Sequence, residues 1–135
     1  MKKQKITDDS LKVLNTIAQT VYDKKGFNIL ALDVRGISSL ADYVIIAEGN
    51  IDRHVKALST VIKDSLKEIS LSPLFVEGEQ SGDWVVLDYS EIVIHLFIPD
   101  FREKYALEQL WRDAAIIDVT IDTKRKSKQT DVTEE

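Results

Sequence analysis

Five side chains carry the first chemical question this sequence poses: His54, His95, Asp42, Asp88 and Glu91. Nucleotidyl transfer needs two or three carboxylates converging on a divalent metal, because the ion must bridge protein and phosphate oxygens. In GISSLADY, residues 36–43, only Asp42 is available, with Tyr43 and Ile45 where further acids would be useful. Asp88 and Glu91 flank a predicted turn, where acids are far more often solvated than catalytic. The chain has no Cys, so disulfides and cysteine nucleophiles are excluded and a zinc site would have to lean on carboxylates. Gly78 and Gly82 lie in the acidic loop GEQSG, which would repel phosphate rather than cradle it. His54 sits on a charged helix and reads as solvated, and no serine has an evident catalytic partner. These observations predict no catalytic residue, no metal and no cofactor.

A different pattern stands out in GDWVVLDYSEIVIHLF, residues 82–97. Two runs dense in β-branched and aromatic residues, 84–88 and 91–98, meet at an Asp-Tyr-Ser-Glu corner and predict a hairpin. With Asp88 opposite Glu91, Leu87 faces Ile92, Val86 faces Val93, Val85 faces Ile94 and Trp84 faces His95. Parity then separates an aliphatic face of Val85, Leu87, Ile92, Ile94 and Leu96 from a second face of Trp84, Val86, Asp88, Glu91, Val93, His95 and Phe97. Two readings of the second face are open. A helix covers it and the polar tips of Trp84 and His95 are hydrogen-bonded, or it is a partner-binding surface with an aromatic anchor, aliphatic neighbours and a polar rim.

The elements that must position this hairpin follow from periodicity. A helix capped by Asp9 or Ser10 places Leu11, Leu14, Ile17, Ala18 and Val21 at helical spacing and ends at Gly26. FNILALD, residues 27–33, reads as a strand covered on both faces, and DYVIIAEG, residues 42–49, as a second. Ile51, Val55, Leu58, Ile62, Leu66 and Ile69 step by three and four along a long helix that Pro73 cannot extend. LFVE, residues 74–77, is a third strand before the hairpin, and one helical segment from Pro99 carries Phe101, Tyr105, Leu107, Leu110 and Trp111. After Ala115 the pattern decays, although IIDVTID is compatible with a short strand. The expected fold is α/β, a mixed sheet of about five strands with packed helices.

The 135 residues, 44% hydrophobic, suit a single domain. We expect it to span residues 1–122, with a polar, aperiodic, disordered and dispensable tail over 123–135. With 18 Lys and Arg against 23 Asp and Glu, the net charge is -5, so RNA binding would require a local basic patch. The run Lys124, Arg125, Lys126 and Lys128 is one such cluster. No apolar run approaches the roughly 20 residues of a bilayer span, and MKKQK leads into polar residues rather than an apolar signal core. A soluble, cytoplasmic protein is expected.

Three stretches together, DVRGISSLADYVIIAEGNIDRHVKAL, FVEGEQSGDWVVLDYSEIVIHLF and REKYALEQLWRDA, resemble the ribosomal silencing factor family, also called RsfS or Iojap. The resemblance runs from about Leu11 to Ala115 and leaves the later tail without a counterpart. It implies a nucleotidyltransferase-like α/β fold without known catalysis. It further implies a translation repressor that binds a protein of the large ribosomal subunit, on the face meeting the small subunit, and prevents joining. On that reading the second hairpin face docks on the ribosomal protein. Direct RNA contact and a homo-oligomeric state are left open, and the competing function is a metal-dependent nucleotidyl transferase with an atypical site.

Overall fold

The computed structural model describes residues 5–124, so most of the expected tail lies outside the described residues. Its first helix, α1 (Asp8–Asp23), begins earlier than the sequence suggests, because Thr7 is the cap: its side chain accepts the Ser10 N–H at 3.1 Å. The strands β1 (Phe27–Asp33) and β2 (Tyr43–Glu48) follow, then α2 (Asp52–Lys67), β3 (Phe75–Glu77), β4 (Trp84–Asp88) and β5 (Ile92–Phe97). The predicted terminal helix is broken. Helix α3 (Pro99–Tyr105) stops at Ala106, which adopts φ 43° and ψ 49°, and a 3₁₀ turn over Leu107–Trp111 continues in a new direction. Ala115–Ile117 then forms β6, giving six strands where about five were expected.

The sheet order is β3-β4-β5-β2-β1-β6, with one parallel pair, β2 with β5, and antiparallel pairs elsewhere. Every residue of the central strand β2 is buried, as a strand covered on both faces must be. The expectation of two-sided cover for β1 holds only from Ala31 onward; Asn28 is exposed, at φ 51°, beside an irregularity in its pairing with β2.

On one face, Leu14, Ile17, Ala18 and Val21 of α1 and Val55, Leu58, Ile62 and Leu66 of α2 pack against Tyr43, Ile45, Ala47, Val85, Leu87, Ile92, Ile94 and Leu96. A smaller cluster on the other face contains Leu32, Val34, Val44, Ile46 and Phe97, partly covered by Phe101, Leu107 and Trp111. Among the described residues, no helix is long and apolar enough to cross a membrane.

The sequence after β6 is more ordered than its weak periodicity implied. Residues 118–122 run beside α1 in the same direction: Asn15 Oδ1 accepts the Thr120 N–H at 2.8 Å and Gln19 Oε1 accepts the Asp122 N–H at 2.7 Å. Val119 and Ile121 add to the first core.

Candidate functional site

The site is the part of the second sheet face that α3 and the 3₁₀ turn leave open. It begins at the hairpin, whose register differs from expectation. Trp84 pairs with Phe97, Val86 with His95 and Asp88 with Val93, a shift of two residues. The turn is centred on Ser90 and Glu91 because the Tyr89 N–H reaches the Ile92 carbonyl at 2.9 Å. Ser90 sits at φ 74°, and Asp88 Oδ1 holds its N–H at 2.8 Å, an aspartate-pinned turn. An even shift preserves side-chain parity. All five residues of the aliphatic face are accordingly buried, none above 4% exposed.

The second face is graded from core to surface. Phe97 is fully buried and supports Trp84, whose ring stacks on it at a centroid distance of 4.9 Å. Trp84, Val86, Asp88, Val93 and His95 are half-buried, while Glu91 is exposed on the turn. Across β4 and β5, Trp84 Nε1–H donates to His95 Nδ1 at 3.1 Å. Aromatic neighbours from the cover approach as well, with Tyr105 5.2 Å from Trp84 and Trp111 6.2 Å from His95, centroid to centroid. Burial pushes the His95 imidazole down to about 4. The ring is therefore neutral near pH 7, free to accept the indole proton at Nδ1. The polar tips of Trp84 and His95 are thus hydrogen-bonded to each other, and the cover over this face is incomplete.

Register extends the patch beyond the hairpin. Phe75 and Glu77 of β3 pair with Asp88 and Val86 and share their face, and Phe75 is 54% exposed. From the cover, Tyr105, whose ring lies 5.2 Å from Trp84, exposes 47% of its surface. These two apolar contributors were missed because the strand and helix patterns identify which residues alternate, not which neighbours stop short of covering them. Asp88, Glu77 and Glu91 supply an acidic rim.

The cover itself is latched. Arg102 Nη1 lies 3.1 Å from Glu48 Oε2 and Nε lies 3.3 Å from Glu108 Oε2, and the Arg102 and Glu48 side chains are only 11% and 9% exposed. Arg102 also donates to the Asn28 carbonyl. The ion pairs bridge β2, α3 and the 3₁₀ turn.

The other candidates separate from this site. His54 is not simply solvated: its Nδ1 accepts the Asn50 N–H at 2.9 Å and its Nε2 meets the Lys24 carbonyl at 2.8 Å, tying the start of α2 to the end of α1. The backbone N–H of Asp42 donates to the Glu91 carbonyl at 2.9 Å, while the Asp88 carboxylate serves the turn. Among the described residues, no three His, Asp or Glu side chains form a group able to hold a metal ion. The acidic loop between β3 and β4 is fastened instead by Glu79 Oε2, which takes the hydroxyl proton of buried Ser59 and the Lys63 ammonium, each at 2.6 Å. Those two partners, the Lys63 bond first, hold the Glu79 carboxyl below its usual range.

What this geometry defines is an α/β domain with an aromatic, acid-rimmed sheet face and a latched partial cover. Comparison gives the class a family. A family profile described as "Ribosomal silencing factor during starvation" matches residues 7–135, so the likeness extends past Ala115 into the segment for which the sequence reading found no counterpart. The Ribosomal silencing factor RsfS of Bacillus subtilis is 40% identical over 107 residues, covering 79% of this chain and 91% of that protein. A crystal structure of a Chromobacterium violaceum protein superposes with a TM-score of 0.73 at 30% identity, covering 84% of this chain and 94% of the other. One from Bacillus halodurans gives 0.71 at 30% identity, covering 80% and 98%. The chain belongs to the ribosomal silencing factor family, non-enzymatic translation regulators that bind the large ribosomal subunit and block its joining to the small one.

Proposed function

We propose that this chain engages the large subunit through the open second face, docking on a basic ribosomal protein at the surface that meets the small subunit. Trp84 is the anchor, Val86 and Val93 its aliphatic neighbours, His95 its positioning partner and Asp88 and Glu91 the rim; Phe97 supports the anchor from below. The observation that carries this reading is the incomplete cover. A sheet face holding a half-buried Trp, two half-buried valines and the exposed Phe75 has the composition of an interface centre rather than a solvated surface. The acidic rim and the net charge of -5 suit a basic partner and favour its approach over that of bare RNA. Activity in the cytoplasm agrees with the likeness to bacterial relatives.

The experiment is site-specific photocrosslinking on purified large subunits, with the crosslinker introduced at position 93. The expected product is one dominant adduct with a single ribosomal protein of the subunit-joining face, reduced when Trp84→Ala is added. Adducts confined to ribosomal RNA, or to proteins on the solvent side, would contradict the assignment.

A further inference from the structure

Tyr89, in the turn between β4 and β5, carries a polar group that the docking face does not use. Its hydroxyl is buried and, among the described residues, has no hydrogen-bond partner. Burial pushes the phenol up from its ordinary value. A buried hydroxyl left unpaired is costly and uncommon in a native fold. Tyr89 lines a pocket of about 140 Å³ on the first face of the sheet, between the start of α1, the end of α2 and the hairpin turn. The apolar lining is Val13, Ile17, Leu66, Leu71 and Ile92. Ile17, Leu66 and Ile92 are buried core residues, so the pocket reaches down to the core itself.

Size and lining restrict what fits. A cavity of about 150 Å³ accommodates a benzene ring, so this space suits one compact apolar group of roughly that size. Water is a poor occupant, because it needs several polar partners and the unpaired Tyr89 hydroxyl stands among five aliphatic side chains. Asp9 and Glu91 also line the pocket, and both are exposed, which places their carboxylates toward its mouth. An anion would meet those charges. The start of a helix otherwise attracts anions, but α1 carries Asp8 and Asp9 in its first turn and Thr7 already takes the Ser10 N–H. A cation is favoured instead, and an ammonium brings donors for Tyr89 Oη. A lysine side chain would have to enter charge first, into aliphatic lining that cannot solvate it. A free amine enters with its apolar end and keeps the ammonium on the side of the carboxylates.

We propose that this pocket binds a small primary alkylamine, its hydrocarbon group packed on Ile17, Leu66 and Ile92 and its ammonium donating to Tyr89 Oη beside Asp9 and Glu91. The pocket lies across the sheet from Trp84, so the proposal does not depend on the docking reading and fails or stands without it.

The test titrates the full chain with isopentylamine, isopentanol and isovalerate, which share one branched skeleton and differ in charge. Methyl resonances of Val13, Ile17, Leu66, Leu71 and Ile92 report occupancy, and thermal melts verify folding. The expected result is saturable shifts of these methyls with the amine, weaker binding of the alcohol and none of the carboxylate. Tyr89→Phe removes only the hydroxyl; because that group has no protein partner, the variant should fold as well as wild type while its affinity for the amine falls about tenfold. Asp9→Asn with Glu91→Gln should erase the preference for amine over alcohol. Val13→Phe, which fills the pocket, should abolish the saturable shifts. No saturation with the amine would overturn the proposal, as would carboxylate binding as tight as amine binding. Unchanged amine affinity in folded Tyr89→Phe would also overturn it, and that variant decides the case even if Val13→Phe fails to fold.

Discussion

The two faces of the sheet are built from the same strands but solve different problems. Beneath α1 and α2, aliphatic side chains from alternate positions are closed off from water; across the sheet, aromatic and polar residues sit under a cover too short to reach β3 and the outer part of β4. The first face needs shape and apolar area alone. The second keeps a histidine neutral, orients an indole through it and leaves apolar surface accessible. A sheet that stabilises through one face is free to recognise through the other, and mutations should separate the two roles.

The largest effect is expected where recognition plays no part. Leu87 is fully buried against the helices, so Leu87→Ala should destabilise the fold by about 2–5 kcal/mol. Denaturant melts measure this, and large-subunit affinity of the fraction still folded at low temperature should match wild type. A loss of affinity without a loss of stability would collapse the distinction between the faces.

Acid should act on the second face. The His95 value is depressed by burial to about 4, against about 6.5 in an unfolded chain, so below pH 6.5 the unfolded state binds the proton more readily. The stability associated with neutral His95 is intact above that pH and is lost as pH falls toward 4, by on the order of 3 kcal/mol. Melts of His95→Gln, which keeps an acceptor for Trp84, should lack this segment of the pH profile. A profile unchanged by the substitution would place the acid sensitivity elsewhere.

For Trp84→Ala the balance tips toward binding. A half-buried anchor at an interface centre should cost on the order of 2 kcal/mol in affinity, or about 30-fold. The loss of its stacking on Phe97 should lower stability by less than Leu87→Ala does. The smallest change is expected at the rim: Asp88→Asn with Glu91→Gln should weaken binding by less than about 1 kcal/mol, mainly by slowing association at low salt. Stopped-flow association rates would register it, and a dominant change in dissociation would assign these acids a buried role.

The division into faces was legible in the sequence because side-chain parity survives an even error in register. The register itself was not, since Ser90 adopts a left-handed conformation without the Gly or Asn that usually announces one. The break at Ala106 has the same origin. His54 and the run of residues 118–122 along α1 escaped a local reading for another reason: their partners lie 30 and more than 100 residues away in sequence, beyond any periodicity. Trp84, Val86, Val93 and His95 could be placed on one face from alternation alone, but the extent of their cover depended on where a helix ended.

Subunit joining tests the central claim most directly. Light scattering of mixed large and small subunits should show that saturating wild-type chain suppresses association. Trp84→Ala, at the same concentration and at a temperature where its fold is intact, should largely fail to suppress it, while folded Leu87→Ala should remain active. Full suppression by Trp84→Ala, or unchanged association with the wild-type chain, would contradict docking through the second face as the means of silencing.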